Sequence, residues 1–305
     1  MIVLFVFPVM LVLLLVALIC LLRKKWLAGV LLLLVVGLVD YVTQCVPVRA
    51  SALRWGRDGD LSIMTWNVCH NVPRSDSLSR DEEMARLVQR KHPDILVLQE
   101  HDLAGGTGLD SRLREQYPYR GAYIAASGQR NACLYSKYPI VNFQRLNMEH
   151  IPEAFYADVA VGGDTLRIVG CHLTSNGISP IEKLDTTWRH KLKLALASTR
   201  ESYPVRERQA LALRRGIPGA PYPVVVAGDL NDVAGSNTLK ILQDTTHKNA
   251  WWQAGLGPGI TFPHYGVRLD HILCPNGMEV LHVSTPHCRR SDHRPVVVRI
   301  GGLYD

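Results

Sequence analysis

The sequence predicts a single α/β domain carried behind a hairpin of two apolar N-terminal helices. Two observations place the hairpin. Residues Ile2 to Leu22 form 21 consecutive positions without a charge, and a second apolar run reaches from Trp26 to about Val46, interrupted by Asp40 and Gln44. A third observation gives the domain. In the remaining 250 or so residues, short apolar runs alternate with amphipathic segments, and no proline-rich, serine-rich or repeated stretch divides them.

About 20 apolar residues in a helix cross a bilayer core of roughly 30 Å. The runs are therefore read as transmembrane helices at about 2–22 and 26–46, within a hairpin spanning 1–48. Residues 49–60 form a linker and 61–305 the domain. A cleaved signal would want basic residues before its apolar centre, and none precede Ile2. One span with an interfacial helix is the other arrangement. The tight loop Arg23-Lys24-Lys25 favours a cytoplasmic connection, which puts the domain on the non-cytoplasmic face. Arg49, Arg54 and Arg57 pull the other way. The expectation is an integral membrane protein with the lipid bilayer as a partner and no obligate protein partner. Those six basic residues hold much of the +7 net charge, an excess that suits anionic headgroups better than nucleic acid. Seven Cys occur without a CxxC pair, which argues against a zinc site.

Within the domain, Leu61 to Val68 alternates as a strand and ends in Thr65-Trp66-Asn67. Asp81-Glu82-Glu83 opens a helix that presents Met84, Leu87 and Val88 on one face, and Pro93 stops it. Ile95 to Leu98 reads as a buried strand and leads into Gln99-Glu100. Strands at Tyr156–Val161 and Thr165–Cys171 flank Gly162-Gly163, a hairpin signal, and the second runs into His172. A long charged segment, Ile181 to Arg215, has helical spacing in two pieces broken near Pro204. Pro223 to Ala227 feeds Gly228-Asp229-Leu230-Asn231, and Ser236 and Asn237 cap a helix carrying Leu239, Ile241 and Leu242. Arg268–Cys274, Glu279–Thr285 and Pro295–Ile300 complete the strands.

One pattern recurs: an apolar strand delivers a polar residue at or beside its C-terminal end. Asn67, Glu100, His172 and Asp229 all arrive this way, and sheet proteins build sites at such ends. Singly, each residue also suits a cap, a turn or a satisfied core histidine. Jointly, Asn67, Glu100, Asp229, Asn231 and Asp292 supply the hard oxygens that magnesium prefers. Carboxylates gathered behind hydrophobic strands repel one another unless a cation compensates. His172 and His293 add groups that donate to a phosphate or shuttle a proton. A metal, an oriented water and such donors are what phosphoester hydrolysis requires.

Six motifs occur in order: Thr65-Trp66-Asn67-Val68, Leu98-Gln99-Glu100, Gly170-Cys171-His172-Leu173, Gly228-Asp229-Leu230-Asn231, Leu269-Asp270-His271-Ile272 and Ser291-Asp292-His293-Arg294-Pro295-Val296. In this the chain resembles the endonuclease/exonuclease/phosphatase superfamily over about Leu61 to Ile300. The resemblance implies a four-layer sandwich of two mixed β-sheets flanked by helices, with the site at one rim. It implies Mg2+, or Mn2+ in its place, held by Glu100, Asn67 and Asp292. Asp229 is implied as the group orienting or deprotonating water, with Asn231 fixing that geometry. His293 is implied on the scissile phosphate, with Asp292 orienting it or binding metal. His172 is implied as a phosphate or leaving-group donor, partnered by Asp270, and substrate is met by Asn67, His172, Asn231 and His293. His271 is read as a strand-end residue.

The expected function is thus a membrane-anchored, divalent-metal-dependent nuclease or phosphodiesterase. Its expected partner is a phosphoester substrate, either nucleic acid or a phospholipid or inositol headgroup. A sphingomyelinase- or inositol-phosphatase-like activity is the alternative, and an inactive scaffold the third reading. Trp188-Arg189-His190-Lys191-Leu192-Lys193 and Arg206-Glu207-Arg208 read as a solvated helical face or a nucleic-acid contact. The pair Trp251-Trp252 suits a core, base stacking or lipid.

Overall fold

The computed structural model describes residues 60–69, 77–101, 103, 108–122, 132–146, 153–177, 184–217 and 219–301, with 45–49 and scattered earlier positions. The first sheet is built from β1 (Leu61–Asn67), β2 (Ile95–Gln99), β3 (Tyr119–Ala122), β4 (Cys133–Ser136), β11 (Glu279–Ser284) and β12 (Val296–Gly301). The second takes β5 (Ile140–Arg145), β6 (Glu153–Val161), β7 (Asp164–His172), β8 (Val224–Asp229), β9 (His247–Asn249) and β10 (Asp270–Pro275). Their orders are β11-β12-β1-β2-β4-β3 and β5-β6-β7-β8-β10-β9. The pairs β1–β2 and β7–β8 are parallel. The other pairs are antiparallel, so both sheets are mixed.

Strand alternation sorts the apolar side chains into three layers. Leu61, Ile63, Ile95 and Val97 of the first sheet meet Phe155, Ala157, Ile168, Val225, Ala227 and Ile272 of the second in one buried cluster. From the opposite face of the first sheet, Met64, Trp66, Leu96 and Leu98 pack on Met84, Leu87, Val88, Leu109 and Leu113. Those partners come from helices α1 (Ser77–Lys91) and α2 (Gly108–Gln116). Behind the second sheet, Tyr156, Val169, Cys171 and Val226 pack on Ala210, Leu213, Leu239 and Leu242. These belong to α3 (Trp188–Gly216) and α4 (Asn237–Gln243). The short α5 (Ala250–Ala254) closes one end of the inter-sheet core through Ala250, Trp251 and Ala254. The layers are helix, sheet, sheet, helix.

Several expectations change. Among the described residues no helix is long and apolar enough to cross a membrane. A bilayer core needs about 20 continuous apolar helical residues, and the longest described helix, α3, is studded with Arg, Lys and Glu. This overturns the expected placement as an integral membrane protein with its domain on the non-cytoplasmic face. The segments 2–22 and 26–46 fall mostly outside the described residues. Helix α3 is one continuous helix with Pro204 inside it. Pro204 lies on the exposed side, where water can replace the donor that proline lacks. Helix α1 begins one turn before Asp81, whose buried carboxylate accepts from the Leu109 amide at 3.2 Å instead of serving as a first-turn acid. Cys133, Cys171, Cys274 and Cys288 are free thiols.

Parallel β7 and β8 approach closely at Gly228. A Cβ added there would sit 1.9 Å from the Cys171 carbonyl oxygen, a backbone atom that cannot swing away. Gly228→Ala is therefore expected to destabilise the fold by about 3 kcal/mol or more, read as a lowered urea midpoint.

Candidate active site

Strand register builds the site before any side chain is considered. Across the second sheet Glu153 stands opposite His172, His172 beside Asp229, and Asp229 opposite Asp270. These four residues form a row over β6, β7, β8 and β10. The first sheet presents its own rim through the parallel pair Asn67–Gln99, with Glu100 next in the chain. Ser291 ties in the turn that carries His293: its Oγ donates to the Asn67 carbonyl at 2.8 Å and accepts the His293 amide at 3.0 Å. The Trp66 indole adds a bond to the His293 carbonyl at 3.0 Å. The two sheets thus converge at one rim.

Asp229 is the centre, at 1% exposure. One carboxylate oxygen accepts the Asn231 amide at 2.9 Å, and the other accepts the Asn67 side-chain amide at 3.0 Å. His172 Nε2 lies 3.6 Å from that second oxygen and His293 Nε2 lies 3.8 Å from it. The carboxylate is therefore flanked by both imidazoles. Each ring is held from behind by its own carboxylate, His172 Nδ1 by Glu153 at 3.2 Å and His293 Nδ1 by Asp270 at 2.8 Å. Glu100 completes the rim, 3.2 Å from the Asn67 amide and 3.8 Å from His172 Nε2. Glu100 and Asn231 both have positive φ, at 54° and 50°. Asn tolerates this region and Glu does not, so Glu100 holds a strained conformation of the kind that clusters at functional sites.

Electrostatics follow from the carboxylate excess. Burial opposes charge on His172, but the Glu153 bond and the Asp229 charge outweigh it and lift the imidazole to about 9. Burial also opposes charge on His293, and there Asp270 and Asp229 prevail and lift it to about 10. Both rings hold a second proton at neutral pH and act as donors on both nitrogens.

Asp229, Asp270 and His293 offer ligand atoms within 4.8 Å of one another, the spacing of a metal cage. His293 Nδ1 is already bonded to Asp270 and the surrounding carboxylates hold the ring charged, so a cation bound at this ring would have to displace a proton. The trio is better described as a hydrogen-bonded relay. Glu100 is the carboxylate on the more open side of the rim, with a side chain 16% exposed, and its hard oxygens suit a divalent cation. Asn67 as placed turns its nitrogen to Glu100 and Asp229, while its oxygen accepts the Cys69 amide at 3.0 Å. In this arrangement it is a donor.

Of the residues expected from the sequence, Asn67, Glu100, His172, Asp229, Asn231, Asp270 and His293 come together. Two pairings differ. Asp270 partners His293 and not His172. Asp292 is exposed and bonded at 3.5 Å to Ser291 Oγ, and the ring nitrogen it was expected to orient is taken by Asp270. Asn231 fixes Asp229 by its main chain and anchors its own amide on the Leu173 carbonyl at 2.9 Å. Glu153 was missed, although a signal existed: a two-residue turn at Gly162-Gly163 sets a register that puts position 153 opposite 172. His271 is a buried neutral core histidine. It bonds the Asp232 carbonyl at 3.0 Å and the Asn249 amide at 2.8 Å, and burial, aided by Arg268, lowers its pKa to about 3. Arg206 is buried as well, bonded to Asp232, Asn176 and the Thr174 carbonyl, while Trp188, Arg189, His190, Leu192, Lys193 and Arg208 of that region are exposed.

Comparison with known proteins agrees with this architecture. The model of the Endonuclease/Exonuclease/phosphatase family matches residues 64–293. Similar solved structures include truncated Caenorhabditis elegans TDP2, at 17% identity and TM-score 0.59 over 81% of this chain and 99% of that one. The human Nocturnin catalytic domain with bound sulfate anion is similar at 17% identity and TM-score 0.61, over 83% and 98%. D. rerio TDP2 complexed with single strand DNA product is similar at 16% identity and TM-score 0.59, over 80% and 100%. At these identities the likeness shows the fold. No curated protein matches the sequence.

The raised histidines make stability depend on pH. Their folded values, about 9 and 10, exceed the ordinary 6.5. Their contribution is therefore complete below about pH 6.5 and lost as pH rises through the folded values. In EDTA, unfolding free energy is expected to fall by several kcal/mol between pH 7 and 10. The loss should be smaller in His172→Gln and His293→Gln variants, measured by urea titration.

Proposed function

The chain belongs to the endonuclease/exonuclease/phosphatase family, whose members are phosphoester hydrolases, and we propose that it cleaves phosphodiesters by in-line attack of water with a divalent cation, Mg2+ or Mn2+, as cofactor. One observation carries the reading. A single buried carboxylate, Asp229, stands 3.6 and 3.8 Å from two imidazoles that are each backed by a further carboxylate.

Hydrolysis must move one proton off the attacking water and one onto the leaving oxygen. Asp229 is placed for the first step, with both oxygens aligned by the Asn231 main-chain amide and the Asn67 side chain. The Nε2 protons of His172 and His293 face the same point. They stabilise charge on the phosphoryl oxygens, and one of them supplies the leaving oxygen with its proton. Glu153 and Asp270 keep these rings protonated and oriented, as the buried carboxylate does for a histidine in acyl-transfer sites. Glu100 would hold the cation. When bound, it supplies Lewis-acid neutralisation of phosphate charge. Cys171 takes no part, since its buried thiol is pushed up to about 12 by desolvation.

The isolated chemistry is testable on bis-p-nitrophenyl phosphate. Hydrolysis is expected with Mg2+ and absent in EDTA, and Asp229→Ala should lower kcat about 10²- to 10⁴-fold. Metal-independent turnover, or an Asp229→Ala variant with full activity, would remove this reading. A second prediction addresses Glu153. In Glu153→Gln the His172 pKa loses its main support, so the alkaline limb of the pH–rate profile should move down by about one unit or more. An unmoved limb would show that Glu153 does not set the protonation of His172.

A further inference from the structure

One feature of the rim is not used in that chemistry. The catalytic imidazole of His293 packs against Phe262, ring centroids 4.8 Å apart, and Phe262 in turn stacks on Tyr265 at 5.6 Å and 29°. His264 meets Tyr265 edge-on at 4.8 Å and 87°. The rings form a tier from the buried site outward: Phe262 is 9% exposed and Tyr265 39%.

The tier is rigidly mounted. His264 and Tyr265 sit at the two central positions of a turn closed by the Gly266 amide on the Pro263 carbonyl at 3.1 Å, and Gly266 supplies the positive φ of 67°. Phe262 pairs with Val267 at the base of this hairpin. Thr261 Oγ1 accepts the amides of Leu269 and Asp270 at 3.0 and 3.1 Å, and the Thr261 carbonyl accepts the Arg294 amide at 2.6 Å. The hairpin is thus bolted to Asp270 and to Arg294, the residue after His293, and its exposed rings keep a fixed position relative to the phosphate-facing imidazole.

We propose that this hairpin is a specificity element, with the Tyr265 ring stacking a planar base of the nucleotide whose phosphate is cleaved and His264, edge-on to that ring, bounding the base. This rests on the phosphodiesterase reading above and narrows its substrate class to nucleotide-containing phosphodiesters. The chemistry favours a base over a lipid: the tier ends in the exposed Tyr265 ring, a flat π-face beside its own hydroxyl and the His264 imidazole, and Pro263 is the sole aliphatic side chain of the four-residue turn. A base gains from stacking on such rings whatever its identity, whereas an acyl chain needs apolar area.

Binding tests the idea independently of turnover. With the full chain and Mg2+, calorimetry would compare adenosine monophosphate with ribose 5-phosphate, which has the same phosphate and sugar without the base. The nucleotide is expected to bind about 5- to 150-fold more tightly, the worth of one base on an aromatic side chain. Tyr265→Phe should keep that ratio and Tyr265→Ala should collapse it towards one, with circular dichroism confirming that each variant is folded. A ratio near one in the wild type, or one unchanged in Tyr265→Ala, would overturn the proposal. So would a preference for phosphocholine over both ligands, which would mark the rim as a headgroup site. Magnesium-dependent hydrolysis of bis-p-nitrophenyl phosphate by the wild type reports separately on the reaction class, so the two ideas can fail apart.

Discussion

Four carboxylates, Glu100, Glu153, Asp229 and Asp270, share one rim with two imidazoles, and their mutual repulsion is the constraint around which the rest is arranged. Taking an ion out of water costs several kcal/mol unless opposite charge and hydrogen bonds replace the lost hydration. Three of these carboxylates are 7% exposed or less. The structure answers with proton-retaining histidines, each wedged between two acids, and with amides aimed at Asp229. Even with both rings charged, four acids face two imidazoles among the described residues of the rim. A divalent ion beside Glu100 would bring the rim closer to neutrality, and substrate phosphate would then enter a pocket that no longer repels it.

The fold serves that arrangement through register. Neither sheet alone carries the site. The second sheet sets Glu153, His172, Asp229 and Asp270 in a row, because three successive strand pairings align them. The first sheet brings Asn67 and Glu100 from adjacent parallel strands and His293 from the turn entering β12. The inter-sheet core of Val, Ile, Leu and Ala fixes the two rows at a constant separation. Close packing transmits small changes, so Gly228 and Gly170, which lie against the Cys171 backbone and the Phe155 ring, belong to the positioning of the site as much as to the core.

Much of this was legible in the sequence for a physical reason. Central strands are buried on both faces and leave continuous apolar runs, so β1, β2, β7, β8, β10 and β12 could be read along with the polar residue at each rim. What escaped notice lies chiefly at the margins. Strands β3, β5 and β9 are sheet edges, where half-solvated side chains such as those of Tyr119, Arg120, Val141 and Lys248 break the apolar pattern. The partners of the histidines were misassigned because side-chain direction is not a property of spacing. Asp292 is adjacent to His293 in sequence and turns to solvent, while Asp270, 23 residues away, makes the bond. The apolar N-terminal runs suggested a membrane hairpin from composition alone, and no described helix supplies such a span. Arg206 resembled a surface cation and proved to be a buried tie between α3 and the loops after β7 and β8, an outcome set by what surrounds it and not by the charge itself.

The proposed cation at Glu100 is what would make this acidic rim tolerable. Calorimetric titration of the full chain with Mn2+ tests it most directly. Saturable binding is expected in the wild type, weakened about tenfold or more in Glu100→Gln, which keeps the side chain's shape and removes its charge. Absence of saturable binding, or equal affinity in the two proteins, would contradict the account.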